Sequence, residues 1–190
     1  MATATVLTLD QFLQRPETEP ASEFFCGRVV EKPMPTFEHA LLTSRLVALF
    51  SLYLMRTPVA FVLDNLRHTY GPEQRAYLPD VSVLLRDRAP RSAAERHRGP
   101  VDIAPDIAIE VTSPDDRPGQ LAEKLAFYLR IGIPLVWIVD PEERTLTAYR
   151  QDQPATIHAA NETITAGPVL PGFQLALADL FDVLDEGIEE

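Results

Sequence analysis

The chain of 190 residues is long enough for one domain with a proper hydrophobic core and too short for two of ordinary size. Its 46% hydrophobic and 24% charged content is typical of a soluble globular protein, and no apolar run approaches the roughly 20 residues of a membrane-spanning helix. The net charge of −11 argues against broad, nonspecific nucleic-acid binding, which depends on lysine and arginine. A single cysteine excludes an intrachain disulfide, and because no signal peptide is evident we expect a cytoplasmic protein.

The first third of the chain is predicted to contain a short helix, a strand pair and a long helix. Residues 8–14 suit a short helix that Pro16 ends, and residues 22–32 suit a strand or a bent hairpin around Gly27. Between residues 38 and 55, leucines and a tyrosine recur at helical spacing, which predicts an amphipathic helix.

Two residues of this region could be assigned a chemical role, but the pattern favours a simpler one. Cys26 is more readily a small strand residue than a nucleophile. His39 is in phase with the apolar stripe of the long helix, so we interpret it as a capping or core histidine.

The next segment is predicted to form a strand pair followed by a polar loop. Residues 59–70 and 77–85 are apolar and β-prone on either side of a turn at residues 71–72. Residues 86–99 hold five arginines against two acidic residues, a local excess of positive charge in a negative protein. A solvated loop and a nucleic-acid contact both remain open for this segment.

A strand–helix–strand unit follows and organises the predicted sheet. Residues 106–112 form the first strand, residues 113–116 fit the [ST]-x-x-[DE] signature that precedes a helix, and residues 120–131 form the helix. The apolar run 135–139 is typical of a central strand, and residues 145–150 would pair with it across a turn. This order implies a right-handed crossover that joins two parallel strands.

The rest of the chain completes a single predicted domain over residues 1–190. A small helix is expected over residues 176–184, followed by an acidic tail at 185–190. The fold class is therefore α/β or α+β, with a central mixed sheet flanked by helices.

Glu110 is the first candidate for chemistry, because it stands inside an apolar strand. Alternation puts Glu110 on one face with Ala108 and Thr112, and leaves the isoleucines on the other. A buried carboxylate costs free energy unless it is paired, hydrogen-bonded or bound to a metal. If the following helix covers the face of Glu110, Lys124 can approach it. A structural salt bridge from Glu110 to Lys124 or to an arginine is the alternative interpretation.

Lys124 lies on the apolar side of the predicted helix. At 100° per residue it falls about 40° from Tyr128 and about 60° from Phe127, within the apolar arc, while Glu123 points away. The alternative is a lysine at the edge of the stripe whose ammonium group extends to water.

Asp80 supplies a second carboxylate at the start of the apolar run that follows Pro79. A turn aspartate is common at such a position, but two acids on neighbouring strands with a lysine from the next helix are less common. Mg²⁺ takes one or two carboxylates, keeps several waters and accepts phosphate oxygens. The set therefore suits a divalent metal that activates water, with a lysine that orients or deprotonates that water.

Several short motifs together resemble those of a known family. They are Pro79-Asp80, Glu110-Val111-Thr112-Ser113-Pro114, Glu123-Lys124-Leu125, Gly132-Ile133-Pro134 and Trp137-Ile138-Val139-Asp140-Pro141. The combination is similar to the Uma2 family of restriction-endonuclease-like proteins, which belongs to the PD-(D/E)XK nuclease superfamily. The resemblance covers roughly residues 20–182 and implies a restriction-endonuclease-like fold.

The resemblance also implies roles for individual residues. Asp80 and Glu110 would be ligands of Mg²⁺ or Mn²⁺, with the backbone carbonyl of Val111 as a third. The parent motif has a lysine two residues after the second acid, where this chain has a threonine, and the resemblance implies that Lys124 takes over that role from the helix. Glu31 would be a further acidic catalytic residue.

The leading functional hypothesis is a metal-dependent endonuclease that hydrolyses phosphodiester bonds, with DNA as the expected partner. Two alternatives stay open: a catalytically silent nuclease-fold module for binding or dimerisation, and a small-molecule phosphoesterase that uses the same site. A homodimer would suit cleavage of both strands of a duplex. The apolar run 135–139 and the leucine-rich C-terminal segment could form its interface, although a core role is the simpler interpretation for both.

Overall fold

The computed structural model describes residues 7–187, which form helices around three β-sheets. The α-helices are α1 (Leu9–Leu13), α2 (Phe37–Arg56), α3 (Ala93–Arg96), α4 (Pro118–Arg130) and α5 (Leu177–Phe181). The strands are β1 (Ser22–Phe25), β2 (Arg28–Glu31), β3 (Ala60–Asp64), β4 (His68–Tyr70), β5 (Arg75–Tyr77), β6 (Val81–Leu85), β7 (Ile107–Val111), β8 (Leu135–Asp140), β9 (Thr145–Tyr149), β10 (Thr156–Ala159), β11 (Thr163–Thr165) and β12 (Gln174–Ala176). The last three residues of the predicted acidic tail lie outside the described range.

A mixed six-stranded sheet forms the centre of the molecule, as the sequence predicts. Its strand order is β10-β9-β8-β7-β6-β3. Strands β7 and β8 run parallel and are joined through α4, whereas the neighbouring pairs of this sheet are antiparallel. All five residues of β7 are buried, as expected for a strand that is covered on both faces.

Helices cover both faces of the central sheet, and this arrangement decides where Glu110 points. On one face, Ile107, Ile109 and Val111 of β7 pack in the cluster that includes the leucines and Phe50 of α2. On the other face, Ala108 packs with Phe127 and Tyr128 of α4. The crossover helix therefore covers the face that carries Glu110, which confirms the condition for an approach of Lys124 to Glu110.

A smaller antiparallel sheet, in the order β2-β1-β5-β4, lies beside α4. Tyr77 of β5 packs against Phe127 and Tyr128, with ring centroids 5.1 and 5.4 Å apart. Helix α1 covers another part of this sheet through a stack of Phe12 on Phe24 at 5.1 Å. The small sheet and α4 thus form two walls around the end of β7.

The long strand predicted over residues 59–70 is wrong, because it is divided between two sheets, and the one predicted over residues 77–85 is confirmed only as β6, since Tyr77 belongs to β5 of the small sheet. Strand β3 pairs with β6 in the central sheet, while β4 pairs with β5 in the small sheet. Asn65 breaks the first segment with a φ of +47°, a left-handed conformation that asparagine tolerates. Pro79 separates β5 from β6, since it has no N–H to donate to a ladder. Asp80 therefore lies where the chain crosses between the sheets.

Two local predictions are also corrected. Cys26 is not a strand residue: it lies in the β1–β2 turn with a φ of +46°, and Gly27 follows at +85°, which suits a tight hairpin. Residues 113–116 form a separate turn closed by Asp116, whose carboxylate accepts from the Ser113 amide at 2.7 Å. Helix α4 begins two residues later, without a side-chain cap at Arg117.

The segments suggested as a dimer interface lie in the core instead. Leu135, Trp137 and Val139 of β8 are fully buried beneath α2, together with Leu180 and Phe181 of α5. Their apolar character is explained by packing within the chain, and dimerisation stays a prediction. No helix within residues 7–187 is long and apolar enough to cross a membrane.

Candidate active site

A cleft of about 500 Å³ opens between the small sheet, the start of α2 and the first half of α4. Acidic residues outnumber basic ones on its walls. The acidic residues are Glu19, Glu23, Glu31, Asp64, Asp80, Glu110, Asp116 and Glu123, and the basic residues are Arg28, Lys32, Arg75, Arg117 and Lys124. A phosphate-bearing ligand would therefore enter a cleft with an excess of negative charge, unless a cation offsets it.

Asp80 lies at the floor of this cleft and is only 3% exposed. Its Oδ1 accepts a hydrogen bond from the Lys32 ammonium group at 2.6 Å, and its Oδ2 accepts from the Val111 amide at 2.8 Å. Nε2 of His39 lies 3.1 Å from the same Oδ2. The Asp80 side chain thus extends the β6–β7 ladder by one step and ties α2 to the sheet.

Glu110 of β7 faces the same floor from the side of α4 and is 6% exposed. The Tyr128 hydroxyl donates to its Oε1 at 2.7 Å, and Lys124 Nζ lies 2.9 Å from each carboxylate oxygen. Both donors come from α4, one turn apart, so the helix surface that covers the sheet also holds the carboxylate.

The two acidic positions are linked through lysines and one backbone carbonyl. Lys124 also contacts Glu23 Oε1 at 2.8 Å and donates to the Leu78 carbonyl at 3.3 Å, while Lys32 donates to the same carbonyl at 2.9 Å. Glu23 in turn accepts from the Leu78 amide at 2.7 Å. Three carboxylates and two ammonium groups therefore share one connected network.

The charges of this network shift the pKa values of its two central acids in opposite directions. Burial alone would raise the pKa of Asp80, but the positive charge of Lys32 and the contact with His39 hold it well below its usual range. Burial raises the pKa of Glu110 to about 7, with a further contribution from the charge of Asp80, and Lys124 only partly offsets this. Burial would lower the pKa of Lys124, yet Glu110 and Glu23 keep it above its ordinary value. At neutral pH Asp80 is a carboxylate and Lys124 an ammonium group.

The raised pKa of Glu110 and the lowered pKa of buried His68 change the free energy of unfolding with pH in opposite directions. Because the folded state keeps a proton on Glu110 that the unfolded chain releases, the free energy of unfolding falls as pH rises from 4.5 to about 7. His68 acts in the opposite direction: burial lowers its pKa from 6.5 to about 4, although a bond to the Ile103 carbonyl acts to raise it. Its contribution to the free energy of unfolding therefore rises with pH over that window. The two contributions oppose each other near pH 5–6.

We expect Glu110→Gln to expose the contribution of His68. In the presence of a chelator, the free energy of unfolding of this variant should rise with pH between about pH 5 and about pH 6 more steeply than that of the wild type, by at most about 1.4 kcal/mol per pH unit, the value for one proton. Urea unfolding at several pH values measures this slope. Exposed Glu142→Gln is the matched control and should keep the wild-type profile. A flat profile for Glu110→Gln would contradict the assignment.

The donor atoms around Asp80 and Glu110 fit a hard divalent cation. Both acids offer carboxylate oxygens, and because the Val111 amide points at Asp80, its carbonyl points to the same side of the extended strand. Within the described residues, no three His, Cys, Asp or Glu side chains are grouped closely enough to hold a metal by themselves. Mg²⁺ needs only one or two carboxylates and keeps several waters, so this set suits Mg²⁺ or Mn²⁺ better than zinc.

Of the residues predicted from the sequence, Glu31 is the one that stands apart. It lines the cleft at the end of β2 but is exposed, and within residues 7–187 it makes no side-chain hydrogen bond or ion pair with the network. The His39 amide takes part in the cap of α2, since it donates to the Thr36 side chain at 3.2 Å, but its ring contacts Asp80 at the cleft floor rather than the core.

Sequence reasoning missed Glu23 and Lys32, and it named Tyr128 without giving it a task. Tyr128 carried a usable signal, because it follows Lys124 by four residues and lies on the same helix face. Lys32 directly follows Glu31, the residue that was singled out, but alternation along a short strand does not tell which neighbour turns inward.

The arginine-rich loop lies away from the cleft. It follows Leu85, the far end of β6, at roughly 16 Å along the strand from Asp80. None of its residues lines the cleft within the described chain. Arg88 pairs with Asp106 at 2.5 Å, and both Arg86 and Arg96 lie over the Phe61 ring. These contacts favour a structural role for part of the loop.

Comparison with known proteins gives the site a family context. The fold is similar to a crystal structure described as "a putative nuclease belonging to DUF820" from Anabaena variabilis, with a TM-score of 0.84 and 32% sequence identity over 94% of this chain and 99% of that one. No curated protein matches the chain. The model of the Uma2 family, described as "Putative restriction endonuclease", matches residues 9–178. Since this match spans most of the sequence, the chain belongs to the Uma2 family of restriction-endonuclease-like proteins.

Proposed function

We propose that the chain is a metal-dependent endonuclease that hydrolyses phosphodiester bonds in DNA. Asp80, Glu110 and the Val111 carbonyl would hold Mg²⁺ or Mn²⁺. The observation that supports the proposal is that Asp80 and Glu110, both nearly fully buried, line the same open cleft and share a network of lysines. Buried acids that serve stability alone have no need of an open cleft above them, and perturbed pKa values in a cleft are typical of functional sites.

The bound ion would lower the pKa of a water molecule and offset the negative charge that develops on the phosphate. Asp80 contributes a permanent negative charge to the site, since its carboxylate stays ionised at neutral pH. Lys124 stays protonated, so we assign it to orienting and stabilising oxygen atoms rather than to removing a proton from water. Glu23 and the Leu78 carbonyl hold its ammonium group in place for that task. Glu31 lines the cleft wall, where it would contribute a further negative charge.

Plasmid nicking tests the proposed activity directly. Wild-type protein should convert supercoiled DNA to open circles with Mg²⁺ or Mn²⁺ and should leave it intact when EDTA removes the metal. Absence of any metal-dependent cleavage contradicts the proposal. An activated phosphodiester such as bis(p-nitrophenyl) phosphate is assayed in parallel. Turnover of this compound with intact plasmid would instead support the small-molecule phosphoesterase.

One observation favours a second candidate, the catalytically silent module. Each carboxylate oxygen of Asp80 and Glu110 already lies within 3.1 Å of a lysine, histidine, tyrosine or backbone donor, so a metal would have to share these oxygens with donors that already neutralise their charge. Calorimetric titration with Mn²⁺ separates the two candidates. Binding that Glu110→Ala removes supports the nuclease, and no binding supports the silent module.

A further inference from the structure

Arg75 of β5 is a buried cation that makes no side-chain hydrogen bond with any residue between 7 and 187. It is 6% exposed, yet it lines the cleft. Its guanidinium group lies between the rings of Phe25, 3.2 Å from the centroid, and Phe127, 4.0 Å from the centroid. Its Nε is buried and makes no hydrogen bond within the described residues. Because aromatic rings cover both faces of the group, its N–H edge is the part that remains for an anion.

The carboxylates near Arg75 are too distant to satisfy it. Glu73 lies 3.5 Å from Nε and is already held by Arg130 in two hydrogen bonds of 2.6 and 3.0 Å. Glu123 Oε1 lies 3.9 Å from Arg75 and 4.0 Å from Arg28. Charge-assisted N–H···O bonds normally measure about 2.7–2.9 Å. The half-exposed Glu123 carboxylate therefore lies between the guanidinium groups of Arg28 and Arg75 without a close contact to either. A phosphate, which carries more negative charge, could take its place.

We propose that Arg28 and Arg75 form a phosphate subsite that binds a phosphate of the nucleic-acid strand next to the one cleaved, and that Glu123 occupies the subsite in the free protein. This inference rests on the proposed function. Glu123 directly precedes Lys124, whose ammonium group reaches Glu110, so the subsite and the acidic floor belong to one cleft. The Glu123 side chain is 50% exposed and is free to swing towards water when phosphate arrives.

The charge at the subsite supports this assignment. Among the described residues, Arg28 and Arg75 of the cleft and the neighbouring Arg130 pair with two carboxylates, Glu73 and Glu123, which leaves an excess of one positive charge beside an otherwise acidic cleft. Two guanidinium groups can present N–H edges to one phosphate, the geometry that arginine suits better than lysine.

Oligonucleotide binding in EDTA tests the subsite separately from cleavage. Fluorescence anisotropy is measured with a labelled single strand and with the corresponding duplex. Arg28→Gln should weaken binding about tenfold and lower the slope of log affinity against log salt by about 0.7–0.9. Glu123→Gln should tighten binding about fivefold, because it removes the competing charge. Both changes are at exposed side chains, so the test does not depend on the folding of an Arg75 variant.

Matched controls separate a local subsite from a general effect of charge. Arg98→Gln in the arginine-rich loop and Glu142→Gln in the β8–β9 turn remove the same charges outside the cleft and should change affinity by less than about twofold. The subsite is overturned if Arg28→Gln and Arg98→Gln change DNA affinity equally, or if Glu123→Gln and Glu142→Gln do. It is also overturned if wild-type protein binds neither DNA probe. Arg28-dependent binding of a nucleoside monophosphate alone would overturn the assignment to a strand. Cleavage without this binding pattern leaves the proposed function intact and refutes only the subsite.

Discussion

Asp80→Asn is expected to abolish metal-dependent plasmid nicking while leaving the fold largely intact. The amide keeps an oxygen that can accept from the Val111 amide or from Lys32, but it removes the permanent negative charge that a divalent ion requires. We expect the cleavage rate to fall about 10³-fold or more, which corresponds to the loss of about 4 kcal/mol of charge stabilisation. Initial rates of supercoiled-plasmid loss with Mg²⁺ measure the effect.

The control for this prediction is a second aspartate of the same cleft. Asp64 ends β3 and lines the cleft, but it is exposed and has no side-chain bond to Asp80 or Glu110 among the described residues. Asp64→Asn should retain activity within about twofold, since solvent already screens its charge. Circular dichroism and thermal unfolding establish that both variants are folded. Cleavage by Asp80→Asn at the wild-type rate would show that Asp80 has no part in the mechanism. Equal losses of cleavage rate in Asp80→Asn and Asp64→Asn would show that the effect comes from the charge of the cleft in general and not from metal binding by Asp80.

The part of the fold around β7, α4 and β8 could be predicted from the sequence because its signals are local. An apolar strand, a helix closed by Gly132 and a second apolar run follow one another, and the parallel pairing of the two strands follows from the helical crossover. The helix periodicity also places Lys124 towards the sheet, and in the structure its side chain is 14% exposed. The helix periodicity and the alternation of side chains along β7 together predict that Lys124 and Glu110 lie on the same face of the sheet.

The division of residues 59–70 and 77–85 between two sheets could not be predicted in this way. Strands β3 and β6 are mainly apolar, whereas β4 and β5 are only three residues long and mix polar with aromatic residues, so no local pattern decides which sheet each joins. The choice depends on partners far along the chain, since β1 pairs with β5 and β7 pairs with β6. Only Pro79 marked a break, and a single proline is also compatible with an edge strand.

The same limit applies to the polar partners of the acidic floor. Glu23 and Lys32 lie 46 residues or more before the Leu78 backbone groups that they contact. The contact of the His39 ring with Asp80 was not predicted, because the phase of His39 on α2 matches the apolar stripe, although it stands in the first turn, where it reaches Asp80. Contacts between distant elements leave no periodic trace, so the sequence alone predicted the acids and one lysine but not the network that holds them.

Removal of Lys124 should produce the largest loss of stability at this site. Lys124→Met keeps most of the aliphatic stem but leaves Glu110, Glu23 and the Leu78 carbonyl without their shared donor. Breaking a buried ion pair by removing one partner costs about 3–5 kcal/mol, because the other charge stays buried and uncompensated. We therefore expect the free energy of unfolding to fall by that amount at about pH 8, as measured by urea denaturation in the presence of a chelator.

The size of this loss should depend on pH, which identifies its cause. Glu110 already has a pKa near 7, and loss of the neighbouring ammonium group raises that pKa further, so Glu110 takes up a proton at lower pH and relieves the unpaired charge. The loss at about pH 6 should be smaller than at about pH 8, and Lys124→Met/Glu110→Gln should recover part of it. Arg144→Met breaks the exposed pair with Asp185 and should cost less than about 1 kcal/mol. A pH-independent loss for Lys124→Met, or one no larger than for Arg144→Met, would mean that Glu110 and Lys124 do not form a buried ion pair that stabilises the fold.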